Sequence, residues 1–339
     1  MSGGVDSSVA AWMLKTQGRD ITGFTMAHTD TPMDREAVES AGAVCAALGI
    51  PHHVVDIRRT FRKTVIDYFC GAYFEGRTPN PCVACNRRIK FGLLFDRMHE
   101  HGMHAMATGH YARIGKDPHT GRPTLNRAAD PGKDQSYFLY RLNRGMLART
   151  LFPLGEHTKE QVRAMARDAA LPVSVKSESQ EICFVPCDYG PFVAAHSPEK
   201  VGQGQIVDTD GNLLGWHEGI HLYTIGQRRG LGVSSAEPLY VLRIEPGENR
   251  VVVAPDDLLY SDSFMVRDIS MFSGEPREKP LHADVKIRYN TPAAPALVQP
   301  ADCDGALRVV PDTPLRAITP GQSAVFYNGD TVLGGGIIE

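Results

Sequence analysis

The sequence predicts an α/β fold: a doubly wound parallel sheet in the first half, then a second half built mainly of strands. Three observations carry this. Apolar runs of strand length alternate with helix-spaced segments over roughly the first 110 residues. A glycine–serine loop opens the chain and runs straight into a helix. From about residue 200 the pattern changes to short β-branched runs separated by turn signals.

In chain order, Ser2-Gly3-Gly4-Val5-Asp6-Ser7-Ser8 is the loop, and residues 9–14 continue it as a helix. Ile21–Ala27 has strand length. Arg35–Leu48 has helical spacing closed by Gly49, and His52–Ile57 is a second strand. Phe61–Phe74 reads as a helix with Val65, Ile66, Phe69 and Tyr73 on one face. Asn86–His101 is another helix, ended by Gly102. His104–Thr108 is a short strand leading into Gly109-His110-Tyr111. Ligands of such sheets lie beyond the C-terminal strand ends, where the opening loop, Met26 and Thr108-Gly109-His110 fall. A phosphate loop of this type normally follows a strand. None precedes Met1, so either an earlier start or a sheet short of one member is expected.

In the second half, 205–208, 240–244, 250–254, 283–288, 307–310, 323–327 and 332–337 read as strands. Gly202, Asp210-Gly211, Gly219, Gly247 and Asn328-Gly329 supply turn signals. The expected domains are 1–198, 199–262 and 263–339, with no internal repeat or low-complexity tract.

A chain of 339 residues allows two or three domains with their own cores. No apolar run approaches the ~20 residues of a membrane span. No charged-then-apolar signal segment opens the chain, so a cytoplasmic location is expected. The net charge of −3 hides an asymmetry: residues 1–196 hold 24 Lys+Arg against 20 Asp+Glu, the remainder 12 against 19. Bulk charge therefore does not hold an RNA, which would need local basic strips. Arg58-Arg59 with Arg62-Lys63, and Arg87-Arg88 with Lys90, are candidates, although such runs alone read as solvated faces.

The loop is where chemistry is first legible. Backbone N–H groups and the positive end of a helix converge on small residues, which makes a phosphate cradle. An ordinary helix cap explains one Asp or Ser, not two Gly with Ser-Asp-Ser-Ser. The loop lacks the Gly-Lys-Ser/Thr ending of a Walker loop. It resembles the SGGxDS loop of the ATP-pyrophosphatases, which split ATP into AMP and pyrophosphate to activate a carbonyl oxygen.

The seven cysteines are expected to be reduced. Cys82 and Cys85 follow two prolines and precede a helix expected from about Asn86, with Arg87, Arg88 and Lys90 beyond. Helix dipole and cations would both favour the thiolate. Half a zinc site, a redox dithiol and one reactive thiol partnered by a distant one all compete, and no second Cys pair has suitable zinc spacing. Cys183 is the candidate partner; Cys45, Cys70, Cys187 and Cys303 are the other thiols.

Seven collinear segments extend the resemblance to nearly the whole chain: SGGVDSS at 2–8, GRTPNPCVACNRRIKF at 76–91, ATGHYAR at 107–113, KDQSYFLY at 133–140, QEICF at 180–184, YTIGQRRGLG at 223–232 and TPGQSAVFYNGD at 319–330. Together they resemble the tRNA-specific 2-thiouridylase (MnmA, TrmU) family of the PP-loop superfamily. The resemblance implies an adenine nucleotide alpha hydrolase-like domain followed by two smaller mainly-β domains, the last a β-barrel. It implies ATP at Met1, Ser2, Gly3, Gly4, Val5, Asp6 and Ser7, with Met26 near the adenine and Gly109 giving close backbone approach; Mg²⁺ accompanies ATP. It implies a persulfide on Cys183 and Cys85 as the nucleophile that frees its sulfur, leaving a Cys85–Cys183 disulfide. Asn80, Pro81 and Cys82 match the segment that meets the target base. Some members carry Asp at the position of Cys82, so an acid/base role does not transfer to the thiol here.

For tRNA the resemblance implies contacts at His110, Lys133, Asp134, Gln135, Arg288, Tyr289 and Gln322. Their bland alternatives are a satisfied core imidazole for His110 and an alternating strand edge for Arg288-Tyr289. The substrate would be the wobble uridine of tRNAs for lysine, glutamate and glutamine. A cysteine desulfurase or persulfide carrier would donate the sulfur. The segment from His28 to Pro32 is shorter than the acidic stretch usual in the family. Two rivals stay open: another PP-loop enzyme, such as an amidating ligase or 4-thiouridine synthetase, and a non-catalytic tRNA-binding or sulfur-carrier protein.

Overall fold

The computed structural model describes residues 1–174, 176, 182–185, 188–200, 202–273, 279–301 and 305–339. The chain forms two units: 1–65 with 82–184 and 329–332, and 66–81 with 185–328 and 333–339.

The first unit begins with helix α1 (Val5–Thr16), strand β1 (Gly23–Ala27), α2 (Pro32–Leu48), β2 (His52–Asp56) and α3 (Arg58–Phe61). Thr31 caps α2 by accepting from the Asp34 amide, and Gly49 closes it at φ 60° in the left-handed region. β1 and β2 are parallel, in register from Gly23 opposite His52 to Ala27 opposite Asp56. The helix expected over 61–74 is interrupted. A π-helical stretch over Arg62–Ile66 follows α3, and α4 (Asp67–Phe74) belongs to the second unit.

Helix α5 (Pro81–Cys85) starts earlier than expected, because proline at the first helical position is favourable rather than disruptive. It runs into a π-helical stretch over Asn86–Leu94 and then α6 (Phe95–Glu100). The first unit continues with β3 (Met106–Ala107), the hairpin β4 (Arg113–Lys116) and β5 (Pro123–Asn126), α7 (Arg144–Leu147), β6 (Thr150–Leu151) and α8 (Lys159–Asp168). β3 and β6 form a second parallel pair. The parallel sheet is thus present as two pairs. α1 lies against α2 and α8, and α2 against β1. Val5, Val9, Val44, Tyr111, Leu154 and Val162 share the core.

The second unit adds α9 (Tyr189–His196) and the strands β7 (Gly204–Val207), β8 (Leu213–His217), β9 (Tyr240–Glu245) and β10 (Arg250–Ala254). These form one sheet in the order β8-β7-β10-β9 over a core of Ile206, Val241, Val251 and Val253. A short pair follows, β11 (Tyr260–Ser261) with β16 (Leu315–Arg316). Six strands then close into a barrel: β12 (Phe264–Met271), β13 (Leu281–Lys286), β14 (Ala294–Pro300), β15 (Leu307–Pro311), β17 (Ser323–Asn328) and β18 (Thr331–Ile338). Their order is β12-β15-β14-β13-β17-β18, and β18 pairs back onto β12. Closure removes the open edges that a flat sheet would expose. Val266, Val285, Val309 and Phe326 fill the interior. Among the described residues no helix is long and apolar enough to cross a membrane.

Candidate active site

The opening loop is shaped by backbone constraints. Gly3 has φ 67°, and a Cβ there would lie 2.3 Å from the Ala37 carbonyl oxygen, so only glycine fits. Gly4 is the extended N-cap of α1, and no side chain caps that helix. Its first amides therefore look to an acceptor outside the helix, which is the anion-binding arrangement. The serines brace the turn. Ser7 Oγ accepts from the Ser2 amide at 3.1 Å and donates to the Gly4 carbonyl at 3.2 Å, and Ser2 Oγ lies 3.0 Å from it. Ser8 Oγ donates to the same carbonyl at 2.8 Å.

Asp6 is held from two sides. Tyr111 donates its hydroxyl to Oδ1 at 2.9 Å, and Lys159 Nζ lies 2.7 and 2.9 Å from the two carboxylate oxygens. A Cβ on Gly109 would sit 2.7 Å from the Asp6 carbonyl carbon and the Ser7 nitrogen. The chain beyond β3 thus packs backbone to backbone on the loop, as a close-approach glycine requires. The buried Met1 amine donates to the Phe24 carbonyl, and burial lowers its pKa to about 6. Met26 is half-buried near the end of β1. The short segment after it folds over Asp34, whose Oδ2 accepts from the His28 and Thr29 amides at 3.0 Å each. His28 Nδ1 lies 2.6 Å from Asp34 Oδ1.

In the same unit the thiols of Cys82, Cys85 and Cys183 come within electrostatic reach of one another, and all three are free. Cys85 is buried; Cys82 and Cys183 reach the surface. The expectation of a stabilised thiolate is overturned. α5 begins at Pro81 and runs on through Asn86–Leu94, so Cys85 lies inside a continuous helical run rather than at its positive end, and Arg87 and Arg88 are exposed. Burial raises the Cys85 thiol to about 11; Lys90 lowers it and Cys82 raises it further. The protein around Cys183, with Cys85 and Cys82, holds that thiol up at about 12 against the pull of Lys90. Cys45 and Cys70 are buried in α2 and α4. Gln180, Glu181, Cys187 and Cys303 lie outside the described residues.

Several residues expected to meet tRNA are engaged within the protein. His110 is buried beside Phe91 and Phe152, with Nδ1 2.8 Å from Thr108 Oγ1, and burial, then Lys90, lowers its pKa well below the ordinary imidazole value. The core-imidazole alternative therefore describes the side chain as it stands. Asp134 is buried and accepts from the Ala128 and Ser136 amides and the Ser136 hydroxyl. Gln135 exchanges two hydrogen bonds with the Tyr111 backbone and so steadies the tyrosine that holds Asp6. Lys133 is half-buried. Of the basic strips, Arg58 is paired with Asp56 and Asp30, while Arg59, Arg62, Lys63, Arg87 and Arg88 are exposed.

In the second unit, three of the seven motifs meet at Thr78. Its amide donates to the Pro320 carbonyl at 2.8 Å, and its carbonyl accepts from Gln322 Nε2 at 2.9 Å. Its hydroxyl donates to Thr224 at 3.3 Å. Gly321, at φ 91°, lets the turn press on this segment: a Cβ would be 3.0 Å from Arg77 Cβ and the Thr78 carbonyl oxygen. Asn80 is half-buried and Pro81 buried. Arg288 Nη2 donates to the Ile225 and Ala317 carbonyls at 3.0 Å each and to Thr319 Oγ1. Tyr289 lies under Lys286 Nζ at 5.4 Å. Gln322 and Arg288 thus brace the turns of this unit.

Sequence reasoning missed Lys159, Tyr111, Asp34 and Thr78 as parts of these arrangements. Thr158 with Gln161 is a legible capping box that marks the start of α8. Nothing local in the sequence ties Lys159 to residue 6.

A glycine-shaped loop at the head of a helix, beside parallel strand pairs, defines an α/β protein with an anion-accepting helix N-terminus. The family model for the tRNA methyl transferase HUP domain matches residues 1–187, the tRNA methyl transferase PRC-barrel domain 190–255, and the aminomethyltransferase beta-barrel domain 261–338. The chain is 49% identical to the tRNA-specific 2-thiouridylase MnmA of Desulforudis audaxviator, covering 100% of this chain and 97% of that one. It is 48% identical to the protein of that name from Chloroflexus aggregans and 44% to that from Clostridioides difficile, covering 100% of this chain and 96% of each of those. The chain belongs to the tRNA-specific 2-thiouridylase family.

Proposed function

We propose that the chain is a tRNA-uridine 2-sulfurtransferase that converts the wobble uridine of tRNA to 2-thiouridine at the cost of ATP. The observation that supports this most is the approach of Cys85 and Cys183, far apart in sequence, in the unit that carries the anion loop.

ATP binds at Met1–Ser7 with Met26 and Gly109, and the uridine 2-oxygen attacks the α-phosphorus. Pyrophosphate leaves, and the base carries AMP, a far better leaving group than oxide. The terminal sulfur of a Cys183 persulfide becomes the new 2-substituent. The Cys85 thiolate attacks Cys183 Sγ, the persulfide S–S bond breaks, its terminal sulfur bonds C2, and AMP departs with the old oxygen. The products are 2-thiouridine, AMP and a Cys85–Cys183 disulfide, which an external dithiol reduces. The Cys85 thiol starts protonated, since burial raises it to about 11; Lys90 is the cation that favours its ionisation. The target base leaves its stack to reach Asn80-Pro81-Cys82, which costs a few kcal/mol at most in a loop.

Mg²⁺ arrives on the oxygens of the nucleotide. Among the described residues no group of three or more His, Cys, Asp or Glu has the arrangement of a metal cage. A cysteine desulfurase or a persulfide carrier supplies the sulfur. Lys133, Tyr289 and the exposed arginines are the tRNA-facing candidates, and tRNAs for lysine, glutamate and glutamine are the substrates.

Mass spectrometry of nucleosides, after incubating unmodified tRNA with ATP, Mg²⁺ and a persulfide source, tests the proposal. The expected product is 2-thiouridine at the wobble position, reduced on the order of 1,000-fold or more in Cys85→Ser or Cys183→Ser. Thiol-independent pyrophosphate release without 2-thiouridine would instead identify another PP-loop enzyme. No pyrophosphate release at all would favour a carrier.

A further inference from the structure

The loop assigned above to the triphosphate carries no cationic side chain. Between Ser2 and Ser8 the one charged side chain is Asp6. A carboxylate in the first turn of a helix is favourable by itself. A polyphosphate arriving at the same amides would nevertheless meet a like charge.

A distant segment supplies the counter-charge. Lys159 Nζ lies 2.7 and 2.9 Å from the two oxygens of Asp6. It also lies 5.7 Å from the Tyr111 ring centroid, and Tyr111 donates its hydroxyl to the same carboxylate. The lysine side chain is only 11% exposed, whereas a surface ion pair leaves its ammonium in water. Its backbone is fixed as well. It is the first residue of α8, which has a complete Thr158–Gln161 capping box, and its amide donates to Asp130 Oδ2 at 3.0 Å. Val162 of α8 shares a core with Val5 and Val9 of α1. A long, flexible side chain is therefore held over one carboxylate at the mouth of the anion loop.

We infer that Lys159 is a positioning residue for the β,γ-diphosphate of ATP: it neutralises Asp6 and holds it in place, so that the loop amides receive a polyanion without repulsion. This rests on the assignment of ATP to the loop.

Calorimetric binding of ATP·Mg²⁺, Mg²⁺-pyrophosphate and AMP to the wild type, Lys159→Gln and Lys159→Arg tests it. Lys159→Gln should weaken ATP and pyrophosphate by about tenfold or more, leave AMP within about twofold, and Lys159→Arg should restore most of the loss. Unchanged affinity for all three in Lys159→Gln overturns the inference. So does an equal loss for AMP and ATP, which marks a purely structural residue. A wild type that binds none of the probes overturns the ATP assignment itself. Should Lys159→Gln fail to fold, lysine acetylation footprinting of the wild type decides. Mg²⁺-pyrophosphate should slow modification of Lys159 and AMP should not; equal rates overturn the inference.

Discussion

The anion loop and the thiol group lie in the same unit but are prepared in opposite ways. The loop is already in binding geometry: Gly3 is locked by the Ala37 carbonyl, Gly109 presses on its backbone, and Asp6 is held by Lys159 and Tyr111. The thiols are restrained instead. Burial keeps Cys85 near 11, so it is a poor nucleophile at neutral pH until something else changes its surroundings. The difference teaches that the loop is preorganised for an anion while the Cys85 thiol is restrained; on the proposed function, this would keep a persulfide from reacting before the base arrives.

The largest expected effect probes the gate. Alkylation of Cys85 by iodoacetamide should be on the order of 100-fold slower at pH 7 than for an unfolded cysteine, and should climb about tenfold per pH unit toward pH 10. The sign follows from burial, which favours the neutral thiol. The same shift contributes stability below the ordinary thiol pKa that is lost as pH rises toward 11. A fast, pH-independent reaction at pH 7 would remove the contrast between loop and thiols.

Gly3→Ala probes the loop. The added methyl meets a carbonyl at 2.3 Å in a positive-φ position, so a cost of about 1–3 kcal/mol is expected, together with loss of ATP affinity. Thermal melting and ATP titration measure the two separately; retention of both would show that the loop is not locked.

The smallest effect sharpens the comparison by testing a third element. Gln322→Leu removes the donor to the Thr78 carbonyl and should cost about 1 kcal/mol in chemical denaturation. No change in midpoint would mean that Gln322 is free to serve tRNA alone.

The parts legible in the sequence were those encoded locally. The loop announced itself by composition, and the strands at 240–245, 250–254 and 323–328 by β-branched runs. β8 has an edge position and exposed Leu213 and Trp216, so its pattern is not a buried run. β14 carries Pro295 and Pro300, which disguise a strand. The helix start at Pro81 was misread because proline signals both a break and a first turn. The π-helical stretches at Arg62–Ile66 and Asn86–Leu94 have no signature in a 3.6-residue period. At the site, the Cys82/Cys85 pair and Cys183 as its candidate partner were legible in the sequence, but their roles only through resemblance. Their raised pKa values were not, because burial depends on long-range packing. The same holds for Lys159, and for Gln322 and Arg288, whose internal partners come from distant segments.

The central claim is that a persulfide on Cys183 gives its terminal sulfur to the base while Cys85 closes a disulfide onto Cys183. A single turnover on unmodified tRNA, with ATP, Mg²⁺ and protein persulfidated on Cys183, followed by acid quench and peptide mass spectrometry without reductant, tests it most directly. A Cys85–Cys183 cross-linked peptide appearing in step with 2-thiouridine is the expected result. Stoichiometric 2-thiouridine with Cys85 and Cys183 each recovered as a separate free thiol would contradict it.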